Sequence, residues 1–115
     1  MSKDRKVNIL GSEWTIKEQS ESENETLKDC DGYMDWTIRE IVVEREMYGN
    51  LADMEKHIRK LLRHEIVHAF LVESGLHECA GESESWALSE TMVDWIARQG
   101  QKIYKAWQEA GALDT

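Results

Sequence analysis

Apolar and polar positions change their period along this chain, and the changes mark its elements. Near the N-terminus Val7, Ile9, Trp14 and Ile16 fall at even steps around Gly11-Ser12, the alternation of extended chain with one buried face. The spacing predicts two short strands, or one strand broken at a turn. Residues 18–31 (EQSESENETLKDCD) are acidic and nearly free of large apolar groups, which predicts a loop or a mobile hairpin tip. Residues 32–46 then bring Tyr33, Trp36, Ile38, Ile41, Val42 and Val43 together. That β-branched and aromatic density favours strand, with a hairpin turning near Asp35 to Thr37.

Gly49-Asn50 breaks the pattern, and Asn50 is placed to cap a helix running through LADMEKHIRKLLRHEIVHAFLVESG. Leu51, Met54, Ile58, Leu61, Leu62 and Val72 recur at helical spacing, and Gly75 is a natural stop. A polar link, residues 76–83, leads to a second helical pattern through Trp86, Met92, Val93, Trp95, Ile96 and Ile103 to Trp107. Gly111 ends it, and Gly100 is a point at which it divides. Strands first and helices after them give an α+β class, and 115 residues are the size of one domain, 1–115. The five tryptophans and the single phenylalanine are expected to supply core, because aromatics carry much of the buried area in small domains.

Charge narrows the partners. Lys and Arg number 14 against 23 Asp and Glu, a net charge of −9, which repels phosphate backbones and steers basic substrates or partners inward. No nucleic-acid partner is expected. No apolar run approaches a membrane span, and the start MSKDRKVNIL lacks the apolar core of a secretory signal, so no membrane partner and a cytoplasmic location are expected. Cys30 and Cys79, far apart and without C-x-x-C spacing, fit the same reduced compartment.

The chemistry lies in the first helix, at His64-Glu65-Ile66-Val67-His68. Histidines four apart project from one helical face and can meet one metal ion, while Glu65, about 100° further round, can approach water beside that metal as a general base. Random placement of four His and 16 Glu would give this H-E-x-x-H pattern about 2% of the time. Its setting between Leu61 and Phe70 is apolar enough to bury it, and buried ionisable groups need partners such as a metal.

A catalytic zinc takes a third protein ligand and keeps a position open for water. The candidates are His77, Glu78, Cys79, Glu82, Glu84, Glu90 and Asp94, most of them in the polar link. Glu90 and Asp94 stand out because they share a face of the second helical stretch, SETMVDWIA. One carboxylate can ligate while the other accepts the remaining N–H of a ligating imidazole and fixes its tautomer.

His64-Glu65-x-x-His68, followed by Glu90-x-x-x-Asp94, resembles the gluzincin pattern of thermolysin-like metallopeptidases over roughly residues 60–98. More closely, RHEIVHAFLVESGL and SETMVDWIA resemble the short zincin-like proteins encoded by bacteriophages and mobile elements, whose two-helix core follows a small sheet. The resemblance implies a minimal zincin-like fold, one Zn2+ per chain held by His64, His68 and Glu90, Glu65 as base, and Asp94 behind one histidine, assigned to His64. It implies a bacterial host cytoplasm if the chain is phage-encoded. It also implies a sheet edge, at the strand Glu40 to Glu44 or its neighbour, to which an extended peptide can add. Thermolysin-like enzymes draw an oxyanion donor from a larger C-terminal domain; here Tyr33, Tyr48 and His77 are the substitutes to examine.

Two functions follow. In the first, a zinc-dependent peptidase of narrow specificity hydrolyses a protein or peptide through a zinc-activated water, with Glu65 moving the proton. In the second, the same residues clamp a zinc-stabilised binding module that engages a host or regulatory protein, with His77, Glu78 or Cys79 closing the site. A metal-free helical adaptor is the third and weakest.

Overall fold

The computed structural model describes residues 4–45, 53–75 and 89–114. Strands β1 (Arg5–Ile9) and β2 (Ser12–Gln19) pair antiparallel with Ile9 opposite Ser12, so Leu10 and Gly11 alone make the turn. Both have positive φ, 51° and 91°, as a type I′ hairpin turn demands, and Gly11 adopts it without a Cβ clash. The first pattern is thus two strands.

β2 runs further than its polarity implies. Glu18 and Gln19, expected in a loop, are strand residues paired parallel with Val43 and Glu44 of β4 (Glu40–Glu44). Backbone ladder bonds hold them there irrespective of side-chain patterning. The rest of the acidic stretch links β2 to β3 (Gly32–Asp35) and contains a 3-10 turn, Glu25–Lys28, capped by Asn24 and anchored by buried Leu27. β3 pairs antiparallel with β4, giving the order β1-β2-β4-β3.

The β3–β4 turn occupies residues 36–39, slightly beyond the expected Asp35 to Thr37. The Asp35 carboxylate starts it by accepting from the Thr37 N–H and hydroxyl. β4 is internal to the sheet, so of the two strands proposed as an edge it is the neighbour, β3, that lies there.

Register decides which residues meet the helices. Val7 lies opposite Trp14, Ile16 beside Ile41 and Met34 opposite Ile41, which puts all of them on one face. Against that face packs α1 (Met54–Glu73), through Leu62, Ile66 and Ala69, around a core of Ile9, Trp14, Ile16 and Ile41. Spacings of four and three keep these helix residues on one stripe. Glu73, at the end of the same stripe, accepts from Trp14 Nε1 at 2.8 Å, Ser12 Oγ at 3.2 Å and Arg39 Nε at 2.6 Å. One carboxylate therefore ties the end of α1 to the start of β2 and to the β3–β4 turn.

α1 begins later than the sequence implies. Its cap is Asp53, whose side chain accepts from the Lys56 N–H, with Glu55 in the first turn; Asn50 and Leu51 lie outside the described residues. α2 (Glu90–Glu109) is capped by Ser89 and passes through Gly100 unbroken, so the expected division does not occur; Trp86 lies outside the described residues. Helical hydrogen bonding on either side carries the chain across a single glycine at a cost of only about 1 kcal/mol. Gly111 ends α2 as expected, where the N–H groups of Gly111 and Ala112 close on the Gln108 and Trp107 carbonyls.

The aromatic expectation fails for most of its residues. Trp14 is fully buried, but Trp36, Trp95 and Trp107 are 44%, 57% and 52% exposed and Phe70 is 41% exposed. Trp36 falls in a turn, and the two-layer stack covers only the α2 stripe that carries Val93 and Ala97. No helix of the described residues is long and apolar enough to cross a membrane.

Candidate metal centre

The stripe of α1 that turns from the sheet toward α2 carries Lys60, His64 and His68, each one turn from the next. The two histidines are buried, with ring centroids 4.9 Å apart. Across the helix seam, Ser89 starts α2 by accepting from the Met92 N–H, so Glu90 stands at the first helical position. A carboxylate there is favoured by the helix dipole. Glu90 reaches both rings at once, Oε2 to His64 Nε2 at 2.8 Å and Oε1 to His68 Nε2 at 3.0 Å.

The ligand atoms of His64, His68 and Glu90 all lie within 4.8 Å of one another, a cluster that can hold a metal ion. Zinc takes nitrogen and oxygen ligands at about 2.0–2.2 Å, which at tetrahedral angles places neighbouring ligand atoms about 3.3 Å apart. The two imidazole–carboxylate contacts, 2.8 and 3.0 Å, are shorter than this and the remaining separations lie within 4.8 Å, differences that side-chain rotations can remove. Two imidazoles and a carboxylate are also the donor set of catalytic zinc. The residues fit the ion.

Asp94 stands one turn along α2 and faces the other nitrogen of His64, Oδ1 to Nδ1 at 3.2 Å. This leaves Nε2 of His64 for a metal and fixes the ring from behind. Asp94 is itself held by Arg98 Nε at 2.6 Å and Lys60 Nζ at 3.1 Å. The Arg98 hydrogen bond above all, then Lys60 and His64, keeps its carboxyl well below the usual carboxylate range despite partial burial. Arg63 Nε adds a bond to the Ala97 carbonyl at 2.9 Å, pinning the two helices together. Lys60, Arg63 and Arg98 were not anticipated. The signal for Arg98 was in the sequence, as an acid followed four residues later by a base; Lys60 and Arg63 act across the seam and carried none.

Glu65 is 7% exposed and makes no hydrogen bond to another described residue. Burial pushes its carboxyl up to about 7, with His64 pulling it down and Glu90 raising it. An open cavity of 470 Å³ lies beside His64 and Glu90, lined by those two residues with Thr91 and Asp94. Cys30, ahead of the edge strand, lies within electrostatic reach of Glu65, and Asp31 approaches His57 of α1 at 3.9 Å. The start of β3 therefore passes beside α1 near its functional residues.

The structure brings together His64, Glu65, His68, Glu90 and Asp94 and leaves Tyr33 apart. Strand register puts Tyr33 beside Val42 on the sheet face opposite the α1 core, where its hydroxyl accepts from Asn24 Nδ2 at 2.7 Å. It is therefore not placed as an oxyanion donor. Tyr48, His77, Glu78, Cys79, Glu82 and Glu84 lie outside the described residues. Comparison with known proteins found no family model matching this chain, and no curated protein or solved structure that matches it.

Proposed function

We propose that this protein is a zinc-dependent peptidase of the gluzincin type, built on a minimal zincin-like fold. The observation that carries the reading is the pairing of a three-donor cluster with Glu65, a buried carboxylate that no described residue satisfies. A group used only for folding would be paired, because leaving a polar group buried and unsatisfied costs about 1–3 kcal/mol. His64, His68 and Glu90 would hold the ion, which when bound supplies Lewis acidity toward a carbonyl and lowers the pKa of water. Asp94 keeps the His64 ring oriented. Glu65 takes a proton from the attacking water and delivers it to the amide nitrogen as the C–N bond breaks.

β3, the outer strand of the sheet among the described residues, would offer backbone groups to an extended substrate strand. A reducing, cytoplasmic setting belongs to the same reading, in keeping with the free thiol of Cys30. The test is zinc content beside cleavage of a degenerate peptide library read by mass spectrometry. Wild type should carry about one zinc per chain and cut. Glu65→Gln should keep the metal and lose turnover, while His64→Ala and Glu90→Ala lose both; a Glu65→Gln protein of full activity would sink the mechanism.

The exposed Trp95, Tyr104 and Trp107 of α2 favour a second reading, a zinc-stabilised module that binds a protein without cutting it. Cobalt substitution separates the two. A visible spectrum that shifts when azide is added shows an open coordination position and supports the peptidase; an unresponsive four-ligand spectrum supports the module.

A further inference from the structure

Beside the metal cluster, α1 and α2 together line a second, larger cleft of 800 Å³. Its walls carry Lys56, Lys60 and Arg63 from α1 and Arg98 and Lys102 from α2. Five of the chain's 14 Lys and Arg thus line one cleft, and among the described residues Asp53 is the one Asp or Glu beside them. In a protein of net charge −9 this concentration reverses the local field. Asp94, at the margin of the cleft, is shared by Lys60 and Arg98 and cannot neutralise both. Lys56, Arg63 and Lys102 have no carboxylate partner among the described residues.

The cleft meets the metal cluster through Asp94, which bonds Lys60 and Arg98 on one side and His64 on the other. Distances along the helix set the reach. Lys60 and Lys56 precede His64 by one and two turns, about 6 and 12 Å at 1.5 Å per residue. An extended peptide advances about 3.4 Å per residue. From these placements we infer that the cleft is a specificity subsite for acidic side chains of a polypeptide, about two to four residues from the bond to be cut. The inference rests on the peptidase reading for the word substrate, but the binding of acidic polypeptide stands without it.

An acidic polypeptide fits better than a nucleic acid. Phosphate backbones need a basic track that follows them over many charges, whereas here five cations are gathered in one cleft of a chain whose net charge is −9. An acidic substrate differs from the expectation, drawn from net charge, that a basic substrate is steered in, and the experiment below compares the two.

The experiment measures binding, on the full-length Glu65→Gln protein so that nothing is cut. Fluorescein-labelled hexaglutamate, hexalysine, a neutral Gly-Ser hexapeptide and a six-nucleotide oligothymidylate are titrated by anisotropy, with and without zinc. Hexaglutamate should bind at least about tenfold more tightly than the neutral peptide, more weakly as salt rises. Lys56→Glu with Lys102→Glu, both on exposed positions, should remove that preference, and the paired Gln substitutions should weaken it. Equal binding of acidic and neutral peptides would overturn the inference, as would a charge-reversed protein still within twofold of its parent. Tighter binding of oligothymidylate than of hexaglutamate would replace it with a nucleic-acid site. Should hexaglutamate bind as expected while wild type fails to load zinc or to cut, the peptidase reading falls and the cleft stands. If wild type cuts but hexaglutamate shows no preference, the reverse holds.

Discussion

Replacing Asp94 tests whether the ring of His64 is held for a metal or only packed. The carboxylate has three partners: His64 Nδ1 at 3.2 Å, Lys60 Nζ at 3.1 Å and Arg98 Nε at 2.6 Å. Loss of a carboxylate standing behind a ligating histidine costs about 10–100-fold in metal affinity, or about 1.4–2.7 kcal/mol. Asp94→Asn keeps an oxygen able to accept from Nδ1, so the tautomer survives and the charge is lost. It also leaves Lys60 and Arg98 without their shared anion beside the cation, so the expected loss is about tenfold or more. Asp94→Ala removes the acceptor as well and belongs near hundredfold. Restoring charge balance by adding Lys60→Met to Asp94→Asn should recover part of the loss, a non-additivity expected of groups in direct contact. Competition with a chromophoric chelator at pH 7 reads the affinity, and circular dichroism shows that the fold persists. An Asp94→Ala protein within twofold of wild type would refute the orienting role; a loss equal to that of His64→Ala would mean that Asp94 is itself a ligand.

Glu73→Ala should destabilise the fold by about 1–3 kcal/mol in urea unfolding, because it strands the indole N–H of fully buried Trp14 along with Ser12 and Arg39. Glu73→Gln, which keeps an acceptor, should lose less. The same carboxyl is held below its ordinary value near 4.5, first by Arg39 and then, against a burial penalty, by Trp14 and Ser12. Its contribution is thus fully present above about pH 4.5 and is lost as pH falls through the lower folded value, so Glu73→Gln should flatten that part of the acid limb; an unchanged limb would assign it to other groups. Gly32→Ala places a Cβ 3.0 Å from the Val42 carbonyl oxygen and should cost about 1 kcal/mol or more, unless β3 shifts outward from β4. Amide exchange at β3 reads either result.

What could be read in the sequence was whatever a local period encodes. Even steps over Val7 to Ile16 gave the hairpin, Gly75 and Gly111 gave helix ends, and four-residue spacings gave His64 with His68 and Glu90 with Asp94. Signals carried by single side chains were less faithful. Asn50 and Asp53 are both good caps, and only the helix that forms chooses Asp53; Glu18 and Gln19 look like loop and are strand because β4 lies beside them. The aromatics looked like core by type, yet Trp95 and Trp107 remain exposed because a stack of one sheet and two helices covers only one stripe of α2.

The sequence by itself determined the order of elements and the side-chain types of a metal cluster, since residues three or four apart on a helix share a face wherever that helix goes. Only the tertiary structure decided that Glu90 bridges both histidines, that Asp94 stands behind His64, and that Tyr33 faces away. It also decided that five cations of an acidic chain gather in one cleft. These facts depend on how α1 crosses α2 and which strand pairs with which, and such pairings join residues that no periodicity along the chain connects.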